Sequence, residues 1–166
     1  MLIAVVPNQS KSDNDALVCR VSRQLADAGA KVRVVCAQTA MPTAPQLIQA
    51  LEGTDAAVAI GGDGTIMHVA KAAAMVGCPV LGINGGRLGF LAGLEPGELS
   101  RLTDLLEGGY AVEQRALLDI TVHTAEGETT LTAMNEAVIS RGSLSRLVDV
   151  TVHSGEQEIL TCRGDG

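Results

Sequence analysis

The sequence predicts an α/β protein: an N-terminal domain built on a parallel sheet, followed by the start of an antiparallel, β-rich domain. Short apolar runs alternate with helical segments over the first hundred residues. These runs are apolar on both faces, as expected of strands in a parallel sheet that helices cover. After Tyr110 the helical segments stop, and strand signals follow one another with glycine turns between them.

Strands and helices alternate in the predicted N-terminal domain. Asp13 can cap the first helix, which runs to about residue 28, and Gly29 ends it. The predicted strands are residues 2–6, 32–36, 56–60 and 80–83, and the further predicted helices are residues 46–51, 66–76 and 98–106. This order is typical of βαβ units, which form parallel sheets.

The predicted second domain contains strands alone. Gly108-Gly109 marks the boundary, so that the domains comprise residues 1–109 and 110–166. The predicted strands are residues 118–123, 129–140, 147–153 and 158–162, with turns at Gly127, Gly142 and Gly155. The alternation of valine with polar residues from 148 to 152 is typical of an antiparallel strand with one buried face.

The segment Gly61-Gly62-Asp63-Gly64-Thr65 connects an apolar strand to a helix. Its glycines can adopt backbone angles closed to other residues, and they place no Cβ in the path of a ligand. The free amides and the dipole at the start of a helix favour an anion such as phosphate. A carboxylate in such a site repels phosphate unless it binds a metal or accepts a proton from a hydroxyl. The segment therefore indicates phosphoryl transfer to an alcohol.

Two other interpretations of this segment remain open. A glycine turn before a helix is often only a tight βα connection, and an Asp near a helix start is often only a cap. Asp63 between glycines, with Thr65 behind it, favours a functional role over both. The common phosphate motifs do not fit: Lys71 lies too far along the helix for a P-loop, and Met67 replaces the third glycine of a dinucleotide fingerprint.

Composition narrows the class of protein further. The net charge of −7 argues against a nucleic-acid partner, which would require a basic face. The four cysteines are scattered without a Cys-x-x-Cys pair. Three of them fall in apolar or helical segments, where we expect buried free thiols, and we expect a reducing compartment. The chain has no basic leader and no apolar stretch long enough to span a bilayer. We therefore expect a cytoplasmic location and no membrane partner.

Two further polar stretches are candidates for a site. Residues 82–91, Gly-Ile-Asn-Gly-Gly-Arg-Leu-Gly-Phe-Leu, follow the fourth strand and should share a crevice with the first glycine segment at the carboxyl ends of the strands. Asn135-Glu136 lies within the predicted strand 129–140. Since adjacent strand residues point to opposite faces, we expect one of these side chains to face inward. An exposed polar pair at a sheet edge is an equally good interpretation.

The end of the chain suggests an unfinished domain. Residues 163–166 read Arg-Gly-Asp-Gly, a turn that should lead into another element. Four strands without closure would leave unpaired edges. We therefore expect a fragment that ends inside its second domain, that is inactive alone and that tends to associate.

Together these stretches resemble the NAD kinase (ATP-NAD kinase) family. The resemblance rests on residues 61–65, on residues 82–91, on Asn135-Glu136 and on residues 163–166, in an order and spacing that fit the family from end to end. The second stretch and the Asn-Glu pair are the specific signals, because diacylglycerol kinases, sphingosine kinases and phosphofructokinases carry turns similar to the first. The resemblance implies a Rossmann-like (phosphofructokinase-like) first domain.

The resemblance also implies a reaction and roles for single residues. The 2′-hydroxyl of the adenosine ribose of NAD would attack the γ-phosphate of ATP, giving NADP and ADP. Asp63 matches the catalytic aspartate that accepts the hydroxyl proton. The residues that match nucleotide-binding positions are Gly61, Gly62, Gly64, Thr65, Asn84, Phe90, Asn135, Glu136, Arg163 and Asp165. Mg²⁺ or a similar ion is expected with ATP, its protein ligands are unknown, and a full-length protein is expected to form a homo-oligomer, either a dimer or a tetramer.

Two other functions remain as alternatives. One is a lipid or sugar kinase of the same broad fold, which residues 84–91 and the absence of a basic face disfavour. The other is a module that binds NAD or ATP and turns neither over.

Overall fold

The architecture comes from a computed structural model that describes residues 1–9, 14–37, 41–85, 89–142 and 146–166. The chain divides into two compact units, Met1–Arg115 and Ala116–Gly166, which are described separately. The boundary of the functional domains near Gly109 stays a prediction. Within the described residues, no helix combines the length and apolar character needed to cross a membrane.

The first unit is built on a parallel four-stranded sheet, in the order β2-β1-β3-β4. Its strands are β1 (Leu2–Pro7), β2 (Lys31–Val34), β3 (Ala56–Gly61) and β4 (Val80–Asn84). Its helices are α1 (Asn14–Asp27), α2 (Ala44–Leu51), α3 (Asp63–Ala74), a 3₁₀ helix (Leu99–Thr103) and α4 (Asp104–Glu107). The parallel sheet with helices between its strands confirms the predicted α/β class.

The strand order creates a switch point between β1 and β3. The chain leaves β1 towards β2 on one side and leaves β3 towards β4 on the other. Loops that diverge in this way open a crevice at the carboxyl ends of the strands, where α/β proteins bind their ligands. The residues that follow β1 and β3 therefore occupy the position in the fold that is best suited to a site.

Two apolar layers hold this unit together, one on each face of the sheet. Successive strand residues point to opposite faces, so Ile3 and Val5 belong to one layer and Ala4 and Val6 to the other. The helical residues of the first layer come from α1 and the 3₁₀ helix: Leu17, Val21, Leu25, Leu99 and Leu102. Those of the second come from α2 and α3: Leu47, Leu51, Ile66, Val69, Ala72 and Ala73. The sheet is thus covered on both faces over β1, β3 and β4, as their apolar residues predicted, whereas the edge strand β2 is largely exposed.

Several predicted boundaries differ from the observed ones. Helix α3 begins at Asp63, three residues before the predicted start, because Gly62 is extended (φ −88°, ψ −177°) and serves as its N-cap. An acidic first turn stabilises that start through the helix dipole. The predicted helix 98–106 is a 3₁₀ helix followed by a single turn of α-helix. The predicted Asp13 cap lies outside the described residues.

The second unit consists of two antiparallel hairpins, each a separate two-stranded sheet. Strand β5 (Leu118–Thr124) pairs with β6 (Gly127–Ala133), and β7 (Val148–Ser154) pairs with β8 (Gln157–Gly164). The predicted strand 129–140 is too long. Ala133 pairs with Leu118, where β5 begins, so the chain beyond Ala133 no longer has β5 beside it. Antiparallel pairing in this unit confirms the predicted β-rich continuation.

The cysteines are more exposed than the sequence predicted. Cys78 is buried, whereas Cys19, Cys36 and Cys162 are exposed and all four are free thiols. Burial raises the pKa of the Cys78 thiol above its ordinary value of 9.0, the Thr54 hydroxyl opposes this rise, and the nearby Asp55 adds to it. Most of the thiols that were expected to be buried are therefore exposed, because an apolar segment does not reveal which of its faces meets the core.

Candidate functional site

The carboxyl ends of β1, β3 and β4 lie side by side. The amide of Asn8, directly after β1, donates to the carbonyl of Ile60 in β3 at 2.9 Å. The amide of Gly85, directly after β4, donates to the carbonyl of Gly61 at 3.0 Å. The structure thus brings the two glycine-rich segments to one edge of the sheet, as predicted. Gly86, Arg87 and Leu88 of the second segment lie outside the described residues.

The three glycines of the first segment have different surroundings. A Cβ on Gly61 would lie 2.7 Å from the Cβ of Thr65, so Gly61 permits close packing of strand and helix. A Cβ on Gly62 or Gly64 would meet no atom within 4 Å. None of the three has a positive φ, which corrects the expectation that the turn requires unusual backbone angles. Gly62 and Gly64 instead leave open space at the start of α3.

Asp63 lies in the first turn of α3 and contacts the second glycine-rich segment. Its Oδ2 accepts a hydrogen bond from the amide of Phe90 and its Oδ1 accepts one from the amide of Leu91, both at 3.1 Å. A Cβ on Gly89 would clash with Asp63 Oδ1. The side chain of Asp63 is therefore aimed across the crevice at the loop after β4, and the absence of a side chain on Gly89 makes this contact possible.

Thr65 is buried at the base of the same crevice. Its hydroxyl oxygen accepts a hydrogen bond from Asn8 Nδ2 at 3.0 Å. The carbonyl of Asn8 accepts a hydrogen bond from Nδ2 of Asn14, the first residue of α1, at 2.6 Å. These bonds link the segment after β1 to the N-terminus of α3.

Asn84 and Phe90, both predicted to bind nucleotide, lie in contrasting surroundings. Asn84 is buried at the end of β4, and its Nδ2 lies 3.1 Å from each carboxylate oxygen of Glu95. Its amide donates to the carbonyl of Leu94 at 3.0 Å. The side chain of Phe90 is 95% exposed, and its ring is therefore available to a ligand.

The remaining predicted residues belong to the second unit. Asn135 and Glu136 follow β6 and are exposed, which corrects the expectation that they lie in a strand with one side chain facing inward. Arg163, in β8, pairs with Asp149 of β7, with 3.6 Å between Nε and Oδ1. The carbonyl of Asp165 accepts a hydrogen bond from the amide of Arg141 at 3.1 Å. Asn135 and Glu136 therefore lie just after β6, whereas Arg163 and Asp165 lie at the end of β8.

Sequence reasoning missed four residues of this edge of the sheet: Asn8, Asn14, Gly89 and Glu95. The position of Asn8 directly after a predicted strand was an available signal, since such residues meet at one edge of a parallel sheet. Asn14 and Glu95 reach the crevice from α1 and from the loop after β4, which only the packing of the unit reveals. Gly89 was part of the second segment, but its contact with Asp63 depends on the tertiary structure.

The donors that could hold a metal are sparse. Among the described residues, no three His, Cys, Asp or Glu side chains are grouped in a way that could bind an ion. Asp63, the carboxylate at the start of α3, already accepts two amide hydrogens.

Comparison with known proteins gives consistent matches. Residues 3–110 match the model of the ATP-NAD kinase N-terminal domain. The NAD kinase of Symbiobacterium thermophilum is 41% identical over 114 residues, which cover 68% of this chain and 40% of that protein. The NAD kinase of Natranaerobius thermophilus is 41% identical over 111 residues, which cover 66% of this chain and 39% of that protein.

The matches cover only part of each relative. In the NAD kinase of Moorella thermoacetica the matched part, 110 residues at 41% identity, is 35% of the protein. The chain thus spans well under half the length of the curated relatives it matches. Its own matched part holds the sheet, both glycine-rich segments and Asp63. On this agreement of fold and sequence, the chain belongs to the NAD kinase family.

Proposed function

We propose that the protein carrying this chain is an NAD kinase, which transfers the γ-phosphate of ATP to the 2′-hydroxyl of the adenosine ribose of NAD. The observation that carries the proposal is the position of Asp63, a carboxylate in the first turn of α3 with open space at Gly62 and Gly64 on either side of it in the chain. Membership of the family supports it.

The phosphates of ATP fit the N-terminus of α3. The first amides of a helix have no partner within the helix, and its dipole makes this end positive. With no Cβ on Gly62 or Gly64, a phosphate oxygen can approach the main chain closely. We propose that MgATP, with the metal as part of the substrate, places its phosphates here. No step is assigned to a metal held by the protein.

Asp63 is suited to accept the proton of the attacking hydroxyl. A carboxylate offers about four lone-pair positions, and the amides of Phe90 and Leu91 use two of them. In the proposed step the 2′-oxygen forms a bond to the γ-phosphorus, and the bond from that phosphorus to the β,γ-bridging oxygen breaks. ADP leaves with the electron pair, and the hydroxyl proton passes to Asp63. The products are NADP and ADP.

The NAD molecule is assigned to the other predicted residues. The exposed ring of Phe90 can contact a base or ribose, and the exposed side chains of Asn135 and Glu136 can bind ribose hydroxyls. Arg163 and Asp165 are proposed to bind near the nicotinamide end of NAD. The proposal also includes a cytoplasmic location and a homo-oligomer, a dimer or tetramer, in which a neighbouring subunit supplies the last two residues.

An assay of the full-length gene product with NAD and ATP tests the proposal. Formation of NADP and ADP in equal amounts is the expected result, and an NAD analogue without the 2′-hydroxyl should give no product. Phosphorylation of a lipid or sugar, without NADP, would assign the protein to another kinase class. Binding of NAD or ATP without turnover would identify the protein as a nucleotide-binding module and contradict the proposal.

A further inference from the structure

We propose that Asn14 is a positioning residue for the phosphate end of the site, an inference that rests on the proposed function. Its side chain is 2% exposed, although it is polar and begins a helix. The other buried residues of α1 are apolar: Leu17, Val21 and Leu25. A buried amide destabilises a protein unless it is hydrogen-bonded, so a polar residue at this position calls for a specific bonding role.

The contacts of Asn14 reach the loops after β1 and β4, next to the end of β3. Its Nδ2 donates to the carbonyl of Asn8, after β1, at 2.6 Å. Its Oδ1 lies against Gly85, after β4, where a Cβ would be 2.9 Å from Oδ1. The same Cβ would be 3.1 Å from the Cα of Gly61, at the end of β3. One buried side chain therefore lies where the loops after β1 and β4 meet the end of β3.

The bonds continue from Asn14 to the start of α3. Asn8, whose carbonyl Asn14 binds, uses its own Nδ2 to bind the hydroxyl oxygen of Thr65 at 3.0 Å. The amide of Thr65 donates to the carbonyl of Gly62 at 2.9 Å. The amides proposed to receive phosphate are thus connected to Asn14 through Asn8 and Thr65. Loss of the Asn14 amide should loosen their orientation, because aligned donors bind an anion only when the fold holds them in place.

The expected effect is selective for the phosphate ligand. Asn14→Ala in the full-length protein should weaken the binding of ATP and of tripolyphosphate by ~3- to 10-fold, the value of one hydrogen bond of ordinary strength. The KM for ATP should rise by the same factor. The affinity for NAD should stay within about twofold, because only the phosphate end depends on this contact. Asn14→Asp removes the donor at constant size and should give the same selectivity.

The control is Val21→Ala, a change at a fully buried apolar position of the same helix. It should lower the melting temperature while leaving tripolyphosphate binding unchanged at a temperature where the protein is folded. The double variant Asn8→Ala/Asn14→Ala should lose little more than Asn14→Ala alone if the two residues act through one chain of bonds. Asn8→Ala also provides a second variant should Asn14→Ala fail to fold.

Calorimetric titration with tripolyphosphate, ATP and NAD separates the outcomes. Unchanged tripolyphosphate affinity in Asn14→Ala, Asn14→Asp and Asn8→Ala would overturn the inference. An equal loss of affinity for tripolyphosphate, ATP and NAD would also overturn it, and so would a loss of tripolyphosphate affinity in Val21→Ala as large as that in Asn14→Ala. If the unaltered protein binds tripolyphosphate in an Asn14-dependent manner but forms no NADP, the proposed function fails while the positioning role stands.

Discussion

Asp63 has two structural roles at the edge of the sheet. Its carboxylate binds the amides of Phe90 and Leu91, and its backbone starts helix α3. The side chain therefore holds the loop after β4 against the N-terminus of α3. A single substitution at this residue can alter both the chemistry and the geometry of the site.

Asp63→Asn should reduce turnover by ~10²- to 10⁴-fold, the range typical of a lost general base. Asparagine keeps one acceptor oxygen, so one of the two amide bonds remains and the fold and the NAD affinity should be nearly unchanged. Asp15→Asn, in the first turn of α1, is the matched control and should leave the rate as it is. Steady-state rates of NADP formation provide the measurement. A near-normal rate for Asp63→Asn would rule out the proposed role.

Gly89→Ala should also impair turnover, because a Cβ at this position clashes with Asp63 Oδ1. The carboxylate must turn away or the loop must shift, and small misplacements of a catalytic group lower rates strongly, by ~10²-fold for ~1 Å. Gly97→Ala serves as control, since a Cβ there meets no atom within 4 Å and its φ is not positive. If both variants have the same kcat as the unaltered protein, the contact between Gly89 and Asp63 has no role in the reaction.

Glu136→Ala should weaken NAD much more than ATP. The carboxylate is exposed after β6, so its removal should not disturb the fold, and a ribose hydroxyl is its proposed partner. A lost hydrogen bond to a charged group corresponds to ~10- to 100-fold in affinity. Glu126→Ala, at the turn of the same hairpin, is the comparison. Titration with each nucleotide checks the prediction, and equal losses for NAD and ATP would contradict it.

At the scale of elements, the N-terminus of α3 contains one glycine that close packing requires and another that packing does not require. Gly61 packs against Thr65, whereas Gly62 faces open space in an extended conformation that other residues can adopt. The two positions are adjacent in sequence, yet they should respond to substitution in opposite ways. This difference offers a direct test of the phosphate position.

Gly62→Val should leave the melting temperature nearly unchanged but weaken ATP binding by ~10-fold or more, since its methyl groups occupy the space where a phosphate oxygen would bind a main-chain amide. Gly61→Ala should lower the melting temperature, because its Cβ would overlap with Thr65. Thermal unfolding and ATP calorimetry distinguish the two effects. Unchanged ATP affinity in Gly62→Val would contradict the proposed position of the phosphates.

At the scale of the whole chain, the second unit has a large exposed apolar surface. Two separate hairpins form it, and isolated two-stranded sheets are only marginally stable in water. Large apolar residues exposed in this unit include Val122, Leu131, Val138, Ile139, Leu147, Val152, Ile159 and Leu160. Such a surface is a site for association.

The 166-residue chain should therefore self-associate in solution, and we also propose that it forms no NADP on its own. Light scattering at increasing concentration measures its size, and the NADP assay is run beside the full-length gene product. A chain of residues 1–115 lacks the exposed hairpins and should scatter less. A monodisperse 166-residue protein with the activity of the full-length product would contradict both expectations.

The sequence by itself determined the α/β class, the order of strands and helices and the family. These depend on local patterns: apolar strands, helical periodicity, glycine turns and motifs of fixed spacing. The sequence also predicted that the two glycine-rich segments lie at one edge of the sheet, because parallel strands that follow one another through helices end on the same side of the sheet. The role of Asp63 was predicted from its chemistry, as a carboxylate where an anion should bind, and it stays a prediction.

The tertiary structure decided what lies across the crevice from each residue. Packing between segments far apart in the chain explains why Asp63 binds the amides of Phe90 and Leu91. It also explains why Asn14 contacts the loops after β1 and β4. The end of β6 at Ala133 depends on its partner strand beginning at Leu118, which no local pattern around Asn135 and Glu136 reveals. Local sequence specifies elements because their periodicity is local, whereas contacts between loops depend on how the completed sheet brings them together.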